Sequence, residues 1–422
     1  MLTNVPYPRA NVMRPAMFLQ DAERRTADPL PDAVPSASVG VSLVAQLPTV
    51  LILSVSAGAG HVRAAQALCA AADASIVNAV HIDVMTSMPH IFRCLATDAY
   101  VKMVGKYPQA WGWLYRRMQS AQPDDRVQVF RRWIDRRQAR KFVRTITELK
   151  PAAIICTHFL PAELLGYLPA ANRPMCPVWV QVTDFDVHRI WIQPSVFGYF
   201  AGNEEVAFRL RDDGVAAASI HVTGLPVMPA FAAPQDRARA AVGLGLDPSR
   251  PTVLMMGGGA GLGNFAYLAT RLLAIDPGLQ LMVLTGRNVP LLQKLAKLAA
   301  ATPERFIVHG HTSQVEQFMA CADLIVTKPG GLTSAECLAA GLPMVANAPI
   351  PGQEERNADY LVEQGVAVRA IDAVGVEFQV RQLLADPDRL ARMAACGRAI
   401  AKPSAAADVM QTVLKHLYRP LA

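Results

Sequence analysis

Three segments of this 422-residue chain join glycines to polar residues directly after apolar runs. They are SAGAGH (56–61), GGGAGLG (257–263) and KPGGLTSAE (328–336). Glycine lets a ligand approach the backbone closely, and the N-terminus of a following helix attracts an anion. The three segments therefore predict contacts with phosphate or another polar ligand at the ends of strands.

The third segment is the most informative. Lys328 ends a predicted strand, Gly330 and Gly331 form a turn, and a helix begins near Thr333. This arrangement suits a diphosphate. Glu336 lies about one turn into the helix, where its carboxylate can accept hydrogen bonds from both hydroxyls of a ribose.

A loop stiffened by prolines follows the next strand. It delivers Gln353 and Glu354 to the head of another helix, with Asn357 one turn further on. Amide and carboxylate groups match sugar hydroxyls, whereas the alternative is a capped crossover in which Glu354 and Glu355 favour the helix N-terminus. We prefer ligand binding because groups for a diphosphate, a ribose and a sugar follow on consecutive loops.

The first segment does not carry the dinucleotide fingerprint G-x-G-x-x-G, because Arg63 stands where the third glycine belongs. Its His61 is a candidate base or hydrogen-bond donor, and the alternative is a histidine that caps the turn. The second segment matches the fingerprint in one register, but a glycine-dense run matches many patterns. We interpret Gly258 and Gly259 as phosphate contacts, with tight strand–helix packing as the alternative.

The elements that position these segments alternate between strand and helix. Two successive runs of this alternation, separated by the proline-rich residues 225–236, predict an α/β fold with two doubly wound, Rossmann-like domains facing across a cleft. We expect an irregular extension at 1–46, one domain at 47–228 and a second at 229–422. A final helix, at about 404–418, is a candidate to cross back to the first domain.

The net charge of +7 is concentrated in one place. Residues 114–144 alone hold nine Arg and one Lys against three Asp, interleaved with aromatic residues. Such a stretch can bind an anionic membrane surface, and the alternative is a solvated helix face whose Arg stems cover core residues. The membrane candidates are Arg131, Arg132, Trp133, Arg136 and Arg137. We predict no nucleic-acid partner, because no nucleic-acid-binding motif accompanies the charge.

Cysteine usage and hydropathy narrow the class of protein. The seven cysteines contain no C-x-x-C pair, so we expect a reduced, cytoplasmic protein with neither a disulfide framework nor a zinc site. The first twenty residues lack the apolar core of a signal peptide. No apolar run reaches the roughly 18 residues of a membrane span, so any membrane contact is expected to be peripheral.

KPGGLTSAE together with PGQEERNA resembles the nucleotide-sugar signature of the glycosyltransferases that include MurG and the monogalactosyldiacylglycerol and processive diglucosyldiacylglycerol synthases. The resemblance extends through SAGAGH, THFLPAELL, VTDFDVHRIW, VTGLPVMPAF and GGGAGLG, over about residues 49–400. VTDF followed by His188 and Trp191 resembles the diacylglycerol-glycosylating branch more than MurG. The resemblance implies the GT-B fold and a reaction, without metal or cofactor, that inverts the anomeric centre of a UDP-sugar.

The resemblance also implies roles for individual residues. The diphosphate would contact Gly330 and Gly331, the ribose Glu336, and the hexose Gln353 and Glu354. The full set of donor-binding candidates is Gly258, Gly259, Gly310, His311, Lys328, Gly330, Gly331, Thr333, Glu336, Gln353, Glu354 and Asn357. The acceptor-binding candidates are Gly58, Gly60 and Trp191.

The implied activity moves a hexose from a UDP-hexose to a membrane lipid, expected to be diacylglycerol, at the inner face of the cell membrane. His61 is the first candidate for the general base, because an unperturbed histidine titrates near working pH. Asp184 and His188 are the alternatives. Galactose and glucose donors differ at one hydroxyl, and Gln353 with Glu354 can serve either.

Other functions stay open at this point. The acceptor can be a lipid-linked cell-wall precursor, as for MurG, or a soluble molecule. A UDP-sugar 2-epimerase shares the two-domain architecture, and a non-catalytic nucleotide-sugar sensor is the remaining alternative. The chain departs from the family pattern at Ala59, which is strained if its φ is positive, and at His309 and His311, which replace an aromatic residue near the uracil.

Overall fold

The computed structural model describes residues 47–56, 58–88, 112, 140–166, 168, 173–257 and 265–418. The extension predicted for 1–46 lies outside these residues, as do Gly258 and Gly259. The membrane candidates also lie outside them, namely Arg131, Arg132, Trp133, Arg136 and Arg137. Those interpretations stay predictions.

A parallel sheet of six strands, in the order β2-β1-β3-β4-β5-β6, forms from the first half of the chain. Its strands are Thr49–Ser54 (β1), Asn78–Asp83 (β2), Ala153–Cys156 (β3), Val178–Gln181 (β4), Gly198–Ala201 (β5) and Ile220–Val222 (β6). Leu51 and Leu53 pack into one core cluster, and Val50 and Ile52 pack into another. Because both faces are covered, β1 is apolar without alternation.

The helices of this half follow the strands. They are Ala59–Ala71 (α1), Arg140–Leu149 (α2), Phe159–Gly166 (α3) and Glu204–Asp212 (α4). A 3₁₀ turn, Arg189–Trp191, follows β4. Ala59 is the first residue of α1, and among the described non-glycine residues only Lys150, Ser195 and Ala348 have a positive φ. The alanine in the first glycine loop is therefore unstrained.

A second parallel sheet, in the order β12-β11-β10-β7-β8-β9, forms from the second half. Its strands are Thr252–Met256 (β7), Gln280–Leu284 (β8), Phe306–His309 (β9), Leu324–Thr327 (β10), Met344–Asn347 (β11) and Ala367–Ala370 (β12). Its helices are Arg237–Gly243 (α5), Phe265–Leu273 (α6), Val289–Ala299 (α7), Val315–Cys321 (α8), Gly331–Ala340 (α9), Gln353–Glu363 (α10), Ala373–Leu384 (α11), Pro387–Ile400 (α12) and Ala405–Leu417 (α13).

The predicted pair of parallel, helix-covered sheets is confirmed. Two details differ from the sequence-based expectation. The short β12 was not predicted, because the charged Arg369 interrupts its apolar pattern. Helix α9 begins at Gly331 and not near Thr333, since Gly330 is extended (φ −70°, ψ 142°) and takes the N-cap position.

The final helix, α13, packs on the first sheet. Val409, Met410 and Val413 are buried in the same core cluster as Val50 and Trp179. Apolar burial of this kind contributes about 1.5–3 kcal/mol for each large side chain, so the helix is an integral part of that core. Within the described parts of the chain, every helix is too short or too polar to cross a membrane.

Candidate active site

The two sheets meet where the loop after β4 (residues 182–188, the β4 loop) packs against the starts of α9 and α10. A Cβ built on Gly331 would overlap the Thr183 carbonyl oxygen and lie 3.1 Å from the Asp184 Cα atom. Only glycine fits this approach. The position predicted to contact a diphosphate therefore also sets the spacing between the two sheets.

Asn357 is fully buried at this contact. Its Nδ2 donates to Asp184 Oδ1 at 2.9 Å, and its Oδ1 accepts from the Phe185 N–H at 2.9 Å. The structure thus places Asn357 against the β4 loop, although the sequence grouped it with the donor-binding residues. Burial raises the pKa of Asp184 to about 6, and the hydrogen bond from Asn357 opposes that shift.

Ion pairs and a ring stack extend the same contact. Asp186 pairs with Arg356 of α10 at 2.9 Å and with Arg209 of α4 at 3.2 Å. The rings of Phe185 and Tyr360 stack with their centroids 4.9 Å apart. The β4 loop is consequently held by side chains from both halves of the chain.

His61 lies beside the β4 loop on the first turn of α1. Its Nδ1 is 2.9 Å from the Thr157 carbonyl oxygen and 3.0 Å from Thr183 Oγ1. Because a carbonyl oxygen only accepts, we assign the ring proton to Nδ1, which leaves the lone pair on Nε2. Burial lowers the pKa of His61 to about 4. The expectation that His61 titrates near working pH is therefore wrong: the ring is neutral at neutral pH, with a lone pair on Nε2 that can accept a hydrogen bond or a proton.

Aromatic rings surround His61. The His158 ring meets it edge-on at 4.5 Å between centroids, and the Trp191 ring lies at 6.2 Å. Phe159 contacts both His158 and Trp191. Burial lowers the pKa of His158 well below its usual range, so these surroundings are uncharged at neutral pH. The sequence analysis did not single out His158 or Phe159, because AAIICTH (152–158) reads as a buried strand that ends at His158.

His188, the alternative base, is buried and caps the 3₁₀ turn that carries Trp191. Its Nδ1 accepts from the Ile190 N–H at 3.1 Å. This hydrogen bond orients the turn that presents Trp191 to His61. The structure thus brings His61, His188, Trp191 and Asp184 to one edge of the first sheet.

Helix α9 presents its N-terminus to the first glycine loop. No side chain caps the helix, because Gly330 holds the N-cap position. A Cβ on Gly60 would lie 3.7 Å from Leu332 in the first turn, whereas one on Gly58 would meet nothing within 4 Å. Gly60, in the first turn of α1, therefore lies beside the first turn of α9, whose free N–H groups favour an anion.

Glu336 is buried one turn further along α9. Burial raises its pKa to about 7, and the nearby Arg63 opposes the shift. Arg63 Nε lies 3.5 Å from Glu336 Oε1, and Arg63 Nη2 donates to the Ser313 carbonyl oxygen at 3.4 Å. Arg63 belongs to α1, so this contact also joins the two halves of the chain.

Glu354 begins α10 together with Gln353, which is half-buried. The Glu354 carboxylate accepts from Lys328 Nζ at 2.9 Å and from the Ile350 N–H at 2.7 Å. Gly352 precedes them with φ 101°, a conformation that favours glycine. Lys328 and Glu354 are thus brought together at the end of β10, beside the start of α9.

The remaining candidates lie at the same edge of the second sheet. Gly310 follows β9 and is half-buried, His311 is exposed, and Thr333 is half-buried in α9. In the portion of the chain that the structure describes, no three His, Cys, Asp or Glu side chains are grouped so that they could hold a metal ion.

Two family descriptions match the chain, one on each half. Residues 61–227 match Monogalactosyldiacylglycerol (MGDG) synthase, and residues 252–413 match Glycosyltransferase family 28 C-terminal domain. The first match begins at His61 and the second at the first residue of β7. Each match therefore covers most of one sheet and its helices.

Sequence relatives agree with these matches. The processive diacylglycerol beta-glucosyltransferase of Bacillus mycoides is 30% identical over 276 residues, which are 65% of this chain and 71% of the relative. The enzyme of that name from Bacillus cereus strain AH187 is 28% identical over 87% of this chain and 93% of the relative. The one from Bacillus pumilus is 31% identical, and there the chain spans 57% of the relative's length.

Solved structures share the architecture at low identity. Acinetobacter baumannii MurG matches with a TM-score of 0.56 at 18% identity, over 87% of this chain and 99% of that one. The UDP-GlcNAc 2-epimerase of Neisseria meningitidis matches with a TM-score of 0.54 at 11% identity, over 87% and 99%. These likenesses concern the fold, and they confirm the predicted GT-B arrangement.

The sequence motifs, the fold and the relatives indicate the same family, because the matched family descriptions cover both sheets and the named relatives are transferases. The chain is an enzyme that belongs to the GT-B glycosyltransferases of the MurG and monogalactosyldiacylglycerol synthase family.

Proposed function

We propose that this enzyme transfers a hexose from a UDP-hexose to diacylglycerol or a closely related membrane lipid. One observation carries the proposal: Thr183 links the candidate base to the candidate diphosphate site. Its Oγ1 lies 3.0 Å from His61 Nδ1, and its carbonyl oxygen packs against Gly331 at the start of α9. A base and an anion site on facing domains are what transfer between two bound substrates needs.

In this proposal the second half of the chain, 229–422, binds the donor. The first-turn N–H groups of α9 hold the diphosphate, and Glu336 holds the ribose hydroxyls. Gln353 and Glu354 hold the hexose, with Lys328 pairing with the Glu354 carboxylate at 2.9 Å and holding it in place. Gly258, Gly259, Gly310, His311 and Thr333 complete the donor site.

The reaction is a single in-line displacement that inverts the anomeric centre. The acceptor hydroxyl oxygen forms a bond to the anomeric carbon, and the bond from that carbon to the diphosphate oxygen breaks. UDP leaves with the electron pair, and His61 Nε2 takes the hydroxyl proton. The charge on the leaving diphosphate is met by backbone N–H groups and the α9 dipole, with no metal or cofactor assigned a role.

The first half of the chain, 47–228, binds the acceptor. The names of the relatives support diacylglycerol as the acceptor and glucose as the hexose. The uncharged rings of His158, Phe159 and Trp191 beside His61 suit a molecule whose reacting hydroxyl sits next to acyl chains. The enzyme then works as a peripheral protein at the inner face of the cell membrane. The transferase names of the relatives do not favour the epimerase alternative.

A donor-by-acceptor panel tests the proposal. The full chain is incubated with UDP-glucose, UDP-galactose or UDP-GlcNAc and with vesicles that contain or lack diacylglycerol, and the lipids are read by mass spectrometry. We expect a hexosyl-diacylglycerol only where both substrates are present. Epimerised nucleotide sugar formed without any acceptor, and no lipid product, would show that the proposal is wrong.

A further inference from the structure

Arg63 breaks the dinucleotide fingerprint of the first glycine loop, and the proposed function gives it no task. It belongs to α1 on the acceptor side, yet its guanidinium contacts the donor side at two points. One is the Glu336 carboxylate at 3.5 Å, and the other is the Ser313 carbonyl oxygen at 3.4 Å. Glu336 is the proposed ribose ligand, and Ser313 lies in the segment after β9 where the uracil is expected. Arg63 therefore reaches across the proposed nucleotide site.

The contact is loose for a buried ion pair. The Arg63 side chain is 21% exposed and that of Glu336 7%, and the hydrogen bond from Arg63 Nε to Glu336 Oε1 is 3.5 Å long. A strong arginine–carboxylate pair is bidentate and shorter, about 2.7–2.9 Å. Burial of Glu336 outweighs the neighbouring guanidinium, since the pKa of Glu336 stays above its ordinary value. A better hydrogen-bonding partner can thus replace Arg63 at this carboxylate.

A ribose is such a partner, because its two hydroxyls can each donate to the carboxylate. When the ribose displaces the Arg63 guanidinium from Glu336, the side chain remains anchored to α1. Gly60 precedes Arg63 by three residues on the same face of α1 and lies against Leu332 in the first turn of α9. The released guanidinium is therefore beside the helix N-terminus where the diphosphate is proposed to lie.

On the basis of the proposed function, we infer that Arg63 is a donor-binding residue supplied by the acceptor domain. Its guanidinium leaves Glu336 when the ribose binds and pairs with the diphosphate. It then also faces the negative charge that grows on the departing UDP. Arginine suits this task because its planar group binds phosphate oxygens in pairs.

Substitution of Arg63 should affect the binding of UDP and of uridine differently, because these two ligands differ only in the diphosphate. Isothermal titration of the full chain with UDP and with uridine measures both affinities for the wild type, Arg63→Gln and Arg63→Lys. We expect Arg63→Gln to bind UDP about 10-fold to 100-fold more weakly. It should bind uridine as well as the wild type does, or more tightly, because nothing then competes for Glu336. Arg63→Lys keeps the charge and should retain a large part of the UDP affinity.

Arg211→Gln is the matched control, because Arg211 is an exposed arginine on α4 of the same domain. It should bind both ligands as the wild type does, and thermal unfolding establishes that each variant is folded. Equal weakening of UDP and uridine by Arg63→Gln would mean a merely structural role, and unchanged or tighter UDP binding would mean that Arg63 only blocks the site. Either result overturns the inference. A wild-type chain that binds neither ligand contradicts the proposed function itself.

Discussion

Asn357 of α10 holds Asp184 of the β4 loop across the contact between the two sheets, with Nδ2 2.9 Å from Oδ1. The same amide accepts from the Phe185 N–H. Helix α10 begins with Gln353 and Glu354, the proposed hexose ligands, and the β4 loop contains Thr183, which contacts His61. The geometry of the proposed base therefore depends on a helix of the donor side.

Asn357→Asp should weaken this link in a pH-dependent way. The change sets a second carboxylate against Asp184 and keeps the acceptor for Phe185. Burial already raises the pKa of Asp184 to about 6, and both the loss of the Asn357 amide and the second carboxylate raise it further, so the two carboxyls share a proton at pH 5 and ionising both at higher pH destabilises the folded chain. We expect the thermal midpoint to fall much more at pH 8 than at pH 5, relative to the wild type.

Asn288→Asp is the control for that experiment. Asn288 caps α7 by accepting from the Leu291 N–H, and aspartate caps a helix equally well. Its thermal midpoint should stay within a degree or two at both pH values, on the scale of a small surface change. A drop in Asn357→Asp of the same size at pH 5 and pH 8 would contradict the carboxylate explanation.

His61→Ala should lower kcat about 10²-fold to 10⁴-fold, the usual contribution of a general base. Its affinity for UDP should match that of the wild type, because the ring contacts Thr157 and Thr183 and none of the proposed donor ligands. Initial rates with saturating UDP-hexose and vesicles give kcat, and titration gives the affinity. Turnover near the wild-type level would remove His61 from the role of base.

Nucleoside binding should weaken as the pH falls below about 7. Glu336 must be ionised to accept from both ribose hydroxyls, and burial raises its pKa to about 7. Uridine affinity should be roughly tenfold lower at pH 6 than at pH 8, as expected for one proton lost on binding. Uridine has no phosphate that titrates in this range. His61, with a pKa of about 4, adds no step there, and a step from Asp184, whose pKa is about 6, would persist in Glu336→Gln. Glu336→Gln should bind weakly at every pH, and a wild-type affinity that does not change with pH would contradict the prediction.

Glu336→Gln should also make the folded chain more stable than the wild type at high pH. A folded pKa of about 7 against an ordinary 4.5 means that stability is lost as the pH rises from 4.5 towards 7. Glu336→Gln removes the buried charge, so its free energy of unfolding at pH 8 should exceed that of the wild type by up to about 3 kcal/mol. Urea unfolding at pH 8 and pH 5 measures this, and the gain should shrink to less than about 1 kcal/mol at pH 5, where the folded wild type keeps the Glu336 carboxyl protonated. An equal gain at both values would point to another cause.

Membrane binding should depend on charge. Replacing Arg131, Arg132, Arg136 and Arg137 by Gln should weaken binding to anionic vesicles, by about 1 kcal/mol for each arginine that lies near the surface. Binding of the wild type should also fall as salt is added. Cosedimentation with anionic and neutral vesicles tests both effects. Equal binding of the wild type to the two kinds of vesicle would argue against an electrostatic role.

The sequence predicted the parts that local pattern encodes. Buried parallel strands such as β1 and β7 read as apolar runs, and the glycines after them marked the edge where the candidate residues gather. Contacts between the two sheets could not be predicted from local sequence. Arg63 contacts Glu336, and Asn357 contacts Asp184, only because the two sheets are packed in one particular orientation. His158 was missed for a related reason: a histidine at the end of a predicted buried strand gives no sign that its ring will lie against His61.

The return of α13 to the first sheet has a consequence for synthesis. Helix α13 (Ala405–Leu417) completes the core cluster that contains Val50 and Trp179. This helix leaves the ribosome only after the whole second sheet has been made. Until then one face of the first sheet, including Phe200, has no cover from α13. The two halves therefore cannot mature one after the other, as independent domains do during translation, because the first is completed by the last helix of the second.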